Sequence, residues 1–189
     1  MEATLHTRDK IVELGRSYIQ QIGYHAFNYK QISTTLNIKN AAVHHYYPAK
    51  EDLGLAVIEK DKHDFTFMVK CVENNNPMEK LEALLQNYNQ YFHDGNKLCI
   101  IGTFGSAYHD IPPRIQVAIT QYLDTVITWL KQTMQSGLDS GQFKFKGTAE
   151  EMADAWVTTL PGILQIGRVR GTVYFDRMLD YLRNSLKTG

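Results

Sequence analysis

Cysteine is scarce: Cys71 and Cys99 stand far apart in 189 residues, with no CxxC pair. This argues against a disulfide framework or a structural zinc site, and both are expected as free thiols. No run of apolar residues approaches the ~18 that cross a bilayer, and Met1 to Lys10 is polar and charged, unlike a secretory signal. A cytoplasmic location with no membrane partner is expected. Blocks of like charge and polar low-complexity stretches are also missing, so order is expected nearly throughout. The chain has no nucleophile-elbow motif, glycine-rich phosphate loop or metal-ligand spacing, and a cofactor is not expected. No period-two strand pattern and no internal repeat is visible.

Net charge is zero, with 20 basic and 20 acidic residues, yet its distribution is uneven. Residues 1–50 carry six basic groups (Arg8, Lys10, Arg16, Lys30, Lys39, Lys50) and three acidic ones (Glu2, Asp9, Glu13), a net +3 that the rest balances at −3. A basic head on an acidic body suits a protein that meets a polyanion with one end only.

What is present is helical periodicity. Ile11, Leu14, Tyr18, Ile19 and Ile22 fall on one face of a first helix from Thr7, which Gly23 would end. Asn28 is a good N-cap for a short second helix with Ile32 and Leu36 one turn apart. Asn37 then interrupts the pattern, and asparagine tolerates the left-handed conformation that a sharp turn needs. Ile38, Val43 and Tyr47 mark a third short helix closed by Pro48.

Three short helices with a tight turn between the second and third read as a helix-turn-helix, whose third helix can enter the major groove. Away from its apolar face stand Lys39, Asn40, Ala41, His44, His45 and Tyr46. Small and hydrogen-bonding residues let such a face approach base edges, whereas a merely solvated helix would usually carry more Glu and Lys. Lys50, in the first turn of the next helix, is a candidate phosphate ligand; an ordinary exposed lysine is the alternative.

The remaining pattern gives a helix from Lys50 towards Val72, and one from the capping box Asn76, Pro77 and Glu79 to near Gly95. An apolar segment, Leu98 to Tyr108, precedes a long helix from about Arg114 to Ser136, with Gly137 to Gly147 read as its frayed end and a loop. Thr148 and Glu151 open another helix, expected to kink at Pro161-Gly162, and a last helix begins near Thr172. The expected fold class is all-α, with a DNA-binding head at residues 1–53 and a helical body at 54–189.

The stretch from Arg8 to Gly54 resembles the DNA-binding domain of the TetR (tetracycline repressor) family, most densely in IKNAAVHHYYPAKEDLG, Ile38 to Gly54. The matching features are the small pair Ala41-Ala42, the aromatic pair Tyr46-Tyr47, Pro48, and the helix start Lys50-Glu51-Asp52-Leu53. Asn37 stands where the family often has Gly, Tyr47 where Phe is frequent, and His44 where Tyr is common. The resemblance implies a repressor released from a palindromic operator by a small molecule. It implies that Tyr29, Lys30 and Lys50 touch phosphates while Asn40, His44 and His45 face the groove. It also implies an effector cavity in the body, for which Tyr88, Tyr91, Phe92, Cys99, Phe104, Tyr108, Trp129 and Trp156 are candidates, with ordinary core packing the competing reading for each. A homodimer through the last two helices follows, and their stripe Trp156, Leu160, Phe175, Met178, Leu182 and Leu186 is expected to exceed what one body buries.

Three rival readings stand beside this one. Cys99, His93, His109 and Asp110 could be imagined as a nucleophile with its base and orienter, but no motif supports catalysis, and the chain is not expected to be an enzyme. His44-His45 could suggest a metal, yet adjacent helical residues point about 100° apart. The third rival is a helical protein-interaction module without affinity for DNA.

Overall fold

The computed structural model describes residues 6–187, and these form nine helices and no strand. Glu2, counted in the charge of the head, lies outside the described residues, as does the start of the stretch compared with a secretory signal. The helices are α1 (Thr7–Ile22), α2 (Tyr29–Leu36), α3 (Asn40–Tyr46), α4 (Lys50–Cys71), α5 (Pro77–His93), α6 (Ile100–Ser106), α7 (Pro113–Asp139), α8 (Ala149–Arg170) and α9 (Thr172–Ser185).

Local chemistry sets most of their ends. Asn28, Asn76 and Thr148 each accept a hydrogen bond from the backbone N–H three residues on, and Gln31, Glu79 and Glu151 reach back to the cap. Each box satisfies two donors that a helix N-terminus otherwise leaves unpaired. One expectation changes. Residue 137 is not a fraying point: α7 continues to Asp139, and a Cβ on Gly137 would lie 1.9 Å from Cδ2 of the buried Phe143. The glycine is a packing notch. The helix opened by Thr148 contains Pro161 and continues to Arg170.

The chain divides into two compact units. The first contains the residues up to Asp64 together with Ile100–Gln121, so the first part of α4, all of α6 and the start of α7 pack with the head. Its core includes Ile11, Ile19, Phe27, Ile32, Val43, Leu53 and Phe104. Gly54 lets α4 come close, since a Cβ there would meet Ile115 at 2.8 Å and Tyr24 at 3.0 Å. Charges fasten α1 to α4: Arg16 pairs with Asp61 and, at 3.0 Å, with Asp64, while Lys60 reaches Glu13 at 3.3 Å. Asp61 is buried, so losing Arg16 would strand a charge in the interior.

The second unit comprises Phe65–Cys99 and the residues from Tyr122 onward. Phe92 stacks on Phe175 with centroids 4.0 Å apart and planes 6° from parallel. A Cβ on Gly167 would lie 2.9 Å from that Phe92 ring, so the glycine clears its seat. Arg183 of α9 donates twice to Glu82 of α5, at 2.7 and 3.0 Å. This two-bond geometry fixes orientation as well as charge. The apolar stripe expected to drive dimerisation faces inward here. Trp156, Leu160, Phe175, Leu182 and Leu186 are buried within the protomer and Met178 is half-buried, and periodicity alone could not say against what. The apolar residues exposed on α8 and α9 are Ile166, Val169, Val173 and Tyr181.

Candidate nucleic-acid interface

The turn between α2 and α3 depends on one residue. Asn37 adopts the left-handed conformation, φ 52° and ψ 45°, and its N–H bonds back to the carbonyls of Ser33 and Thr34. The chain then reverses into α3, whose seven residues are too few to hold together without tertiary support. Val43 is fully buried and Tyr47, just past the helix, nearly so. Anchored on that side, α3 exposes Lys39, Asn40, Ala41, His44, His45 and Tyr46 on the other, the face expected from the sequence. Lys30 at the start of α2 is exposed as well.

Two expected phosphate ligands have partners within the protein. Tyr29 is buried; its hydroxyl donates to the Ala49 carbonyl at 2.6 Å, and burial pushes its phenol up. Its ring meets the His44 ring at 4.7 Å, edge to face. The Lys50 ammonium donates to the His25 carbonyl at 3.0 Å and sits 4.5 Å from the Phe27 ring centroid, where burial lowers its pKa. An ammonium has three protons, so this one keeps two for other acceptors. Arg8 was not singled out from the sequence: its guanidinium lies 5.9 Å from the ring centroid of Tyr47, bringing an exposed cation beside the end of α3. Its charge was the only sequence signal, because the partner is 39 positions away.

No family sequence model and no curated protein matches the chain. Solved structures do. A TetR transcriptional regulator from Legionella pneumophila is 26% identical, over 98% of this chain and 100% of that one, with a TM-score of 0.87. Over nearly all of its length the chain is similar to TetR-family transcriptional regulators. A TetR-family transcriptional regulator from Agrobacterium tumefaciens superposes with a TM-score of 0.89 at 22% identity, covering 96% of this chain and 98% of that one. The regulatory protein TetR from Rhodobacter sphaeroides gives 0.84 at 15% identity, covering 95% and 98%. Like its TetR-family neighbours, the chain is a DNA-binding transcription regulator with an all-α fold.

The candidate effector residues are divided between the two units. Phe104 and Tyr108 belong to the unit that contains the head, where Phe104 packs against Tyr24 with centroids 5.4 Å apart. Tyr88, Tyr91, Phe92, Cys99, Trp129 and Trp156 lie in the other. Cys99 is buried and hydrogen-bonded to the Tyr88 hydroxyl; burial first, then this thiol, raises the Tyr88 phenol well above its ordinary range. Lys97, two residues before that thiol, is paired with Asp94 at 2.5 Å. Trp156 is fully buried, and its indole N–H has no protein acceptor. Trp129 lines a cleft of about 460 Å3, which it shares with Phe65, Thr66, Val69, Asp124, Thr125, Thr128 and Gln132. A larger cleft of about 670 Å3 is bordered by Glu82, Asp180 and Arg183, which pair with one another.

His93 and Cys99 lie in one unit and His109 and Asp110 in the other, all but Cys99 exposed. Among the described residues, no three His, Cys, Asp or Glu side chains could together hold a metal ion, and no helix is long and apolar enough to cross a membrane.

Proposed function

We propose that the chain is a ligand-responsive repressor, which binds a palindromic operator as a homodimer and leaves it when a small molecule occupies the body. The observation that carries this reading is the exposed face of α3, where small, amide and imidazole side chains stand clear of the protein. Such groups fit base edges, with Lys30, Lys39, Lys50 and Arg8 as flanking cations for phosphates. Exposed Val169 and Val173, each 83% accessible, with Ile166 and Tyr181, supply apolar surface for a second copy on α8 and α9. The cleft at Trp129 and Phe65 has the size of an effector site and mixes aromatic walls with a few polar groups.

A gel-shift titration against genomic fragments, repeated over a range of salt, tests the reading. A palindromic fragment bound with a steep salt dependence supports it, and sedimentation should then show two protomers per duplex. Binding that ignores salt and sequence would favour a helical protein-interaction module instead. If no pocket-sized compound alters the affinity for the selected fragment, ligand control is refuted while DNA binding stands.

A further inference from the structure

We infer that His44 makes DNA recognition by this regulator proton-linked, because its imidazole offers DNA one nitrogen that accepts a hydrogen bond when neutral and donates one when charged. The inference rests on the DNA-binding reading of α3. Its geometric basis is the other ring nitrogen: Nδ1 of His44 lies 3.4 Å from the Pro48 carbonyl oxygen. A carbonyl can only accept, so this contact favours the tautomer with its proton on Nδ1 and leaves Nε2 as the nitrogen that changes character. The Tyr29 ring holds the imidazole edge to face, and Tyr29 is itself tied to the Ala49 carbonyl.

The charged and titratable groups of the elements nearest α3 come from α1, α2, α4 and α7. On α2 they are Tyr29 and Lys30. At the start of α4 they are Lys50, bonded to the His25 carbonyl, together with Glu51 and Asp52, which Arg114 approaches at 3.8 and 3.7 Å. On α1 it is Arg8, over Tyr47. On α3 itself Lys39, His45 and Tyr46 are exposed.

DNA responds differently to the two forms. Phosphate oxygens, and N7 and O6 of guanine, only accept, whereas adenine and cytosine present amino groups to the major groove. The neutral ring therefore suits an amino group, and the imidazolium suits guanine or phosphate. Imidazoles change charge between about pH 5 and 8, and the negative field of DNA favours the charged form. Protonation of the ring and binding therefore favour each other, and affinity rises towards acid. A tenfold preference of DNA for the charged form makes binding about tenfold tighter at the acid end.

The experiment selects duplexes from a randomised pool with the full-length protein at about pH 6 and about pH 8, at constant ionic strength. The best duplex is then titrated by fluorescence anisotropy across that range with wild type, His44→Gln and His45→Gln. Glutamine hydrogen-bonds but does not titrate. The expected result is about a tenfold gain for wild type towards acid, guanine enriched at the contacted position in the acid pool, and a pH-independent His44→Gln whose circular dichroism matches wild type. A flat wild-type profile overturns the inference, as does a His44→Gln that keeps the full dependence or loses it only together with its helicity while wild-type base preference is the same in both pools. Loss in His45→Gln alone moves the linkage off His44 and also overturns it. If neither pool enriches any duplex, the DNA-binding reading itself fails, an outcome distinct from all of these.

Discussion

Gly137→Ala tests whether the notch in α7 is a packing requirement. The added Cβ would sit 1.9, 2.2 and 2.5 Å from three atoms of the Phe143 ring, which is 2% exposed, and Phe143 is also held by its N–H to the Gly137 carbonyl at 2.9 Å. A backbone-tethered ring has no small adjustment that opens such a gap, so it must leave its site. Losing a buried phenylalanine costs about 3–5 kcal/mol, against a helix-propensity gain of about 1 kcal/mol for Gly to Ala. The net is a loss of about 2–4 kcal/mol, or roughly 5–15 °C in Tm for a chain of this size. Urea unfolding followed by circular dichroism measures it. The same substitution in a Phe143→Ala background should turn from harmful to neutral or stabilising, because only the propensity gain remains. Gly137→Ala as stable as wild type, or equally harmful in both backgrounds, refutes the reasoning.

Charging the exposed apolar surface of α8 and α9 with Val169→Asp and Val173→Asp should turn the dimer into a monomer in sedimentation at micromolar concentration, with the helicity unchanged; a wild-type monomer would remove the premise. Lys50→Ala should weaken binding to every DNA sequence and reduce the log–log salt slope by about one, the signature of one lost phosphate contact. An unchanged slope would mean that the lysine only braces His25 and Phe27. Thiol titration should find Cys71 reactive at once and Cys99 protected until the protein unfolds, since the first is exposed and the second buried; immediate reaction of both thiols in the folded protein would refute this. Hydrogen bonds from the Thr148 backbone and hydroxyl hold the Glu151 carboxyl below the usual range. The stability it contributes is present above the unfolded carboxylate's pKa and is lost as pH falls through the lower folded value. Glu151→Gln should therefore flatten the acid side of a Tm-against-pH curve, and an unaltered curve counts against the capping role.

The sequence was most legible where causes are local. Asn37 at the turn, the boxes at Asn76 and Thr148, and the division of α3 between Val43 and its polar face all follow from residue types within one or two turns. Tyr29 was legible as a residue at the start of α2, but its hydroxyl partner is a carbonyl 20 residues away, which no local pattern encodes. Likewise, the spacing of Phe175, Leu182 and Leu186 reveals that a face is buried without naming the surface that buries it. Their partners are in the same protomer, so the residues open to a second copy are the valines that the stripe left out. Phe104 and Trp129 look equally suited to an effector site in sequence, and only tertiary packing assigns one to the Tyr24 cluster and the other to a cleft.

The bonds that hold α3 have an implication for how such a protein could change its target. Asn37, Val43, Tyr47 and the Tyr29–Ala49 tie fix where the helix sits, whereas Asn40, Ala41 and His45 project from it without being needed for that placement. Orientation and alphabet are thus written in different letters. A library varied at Asn40, Ala41 and His45 should retain a folded head in most members, since exposed substitutions away from such ties usually shift stability by no more than about 0.5 kcal/mol. His44 is the residue that belongs to both sets, through its contacts with Tyr29 and Pro48, so new operators would be reached most readily by drifting around it.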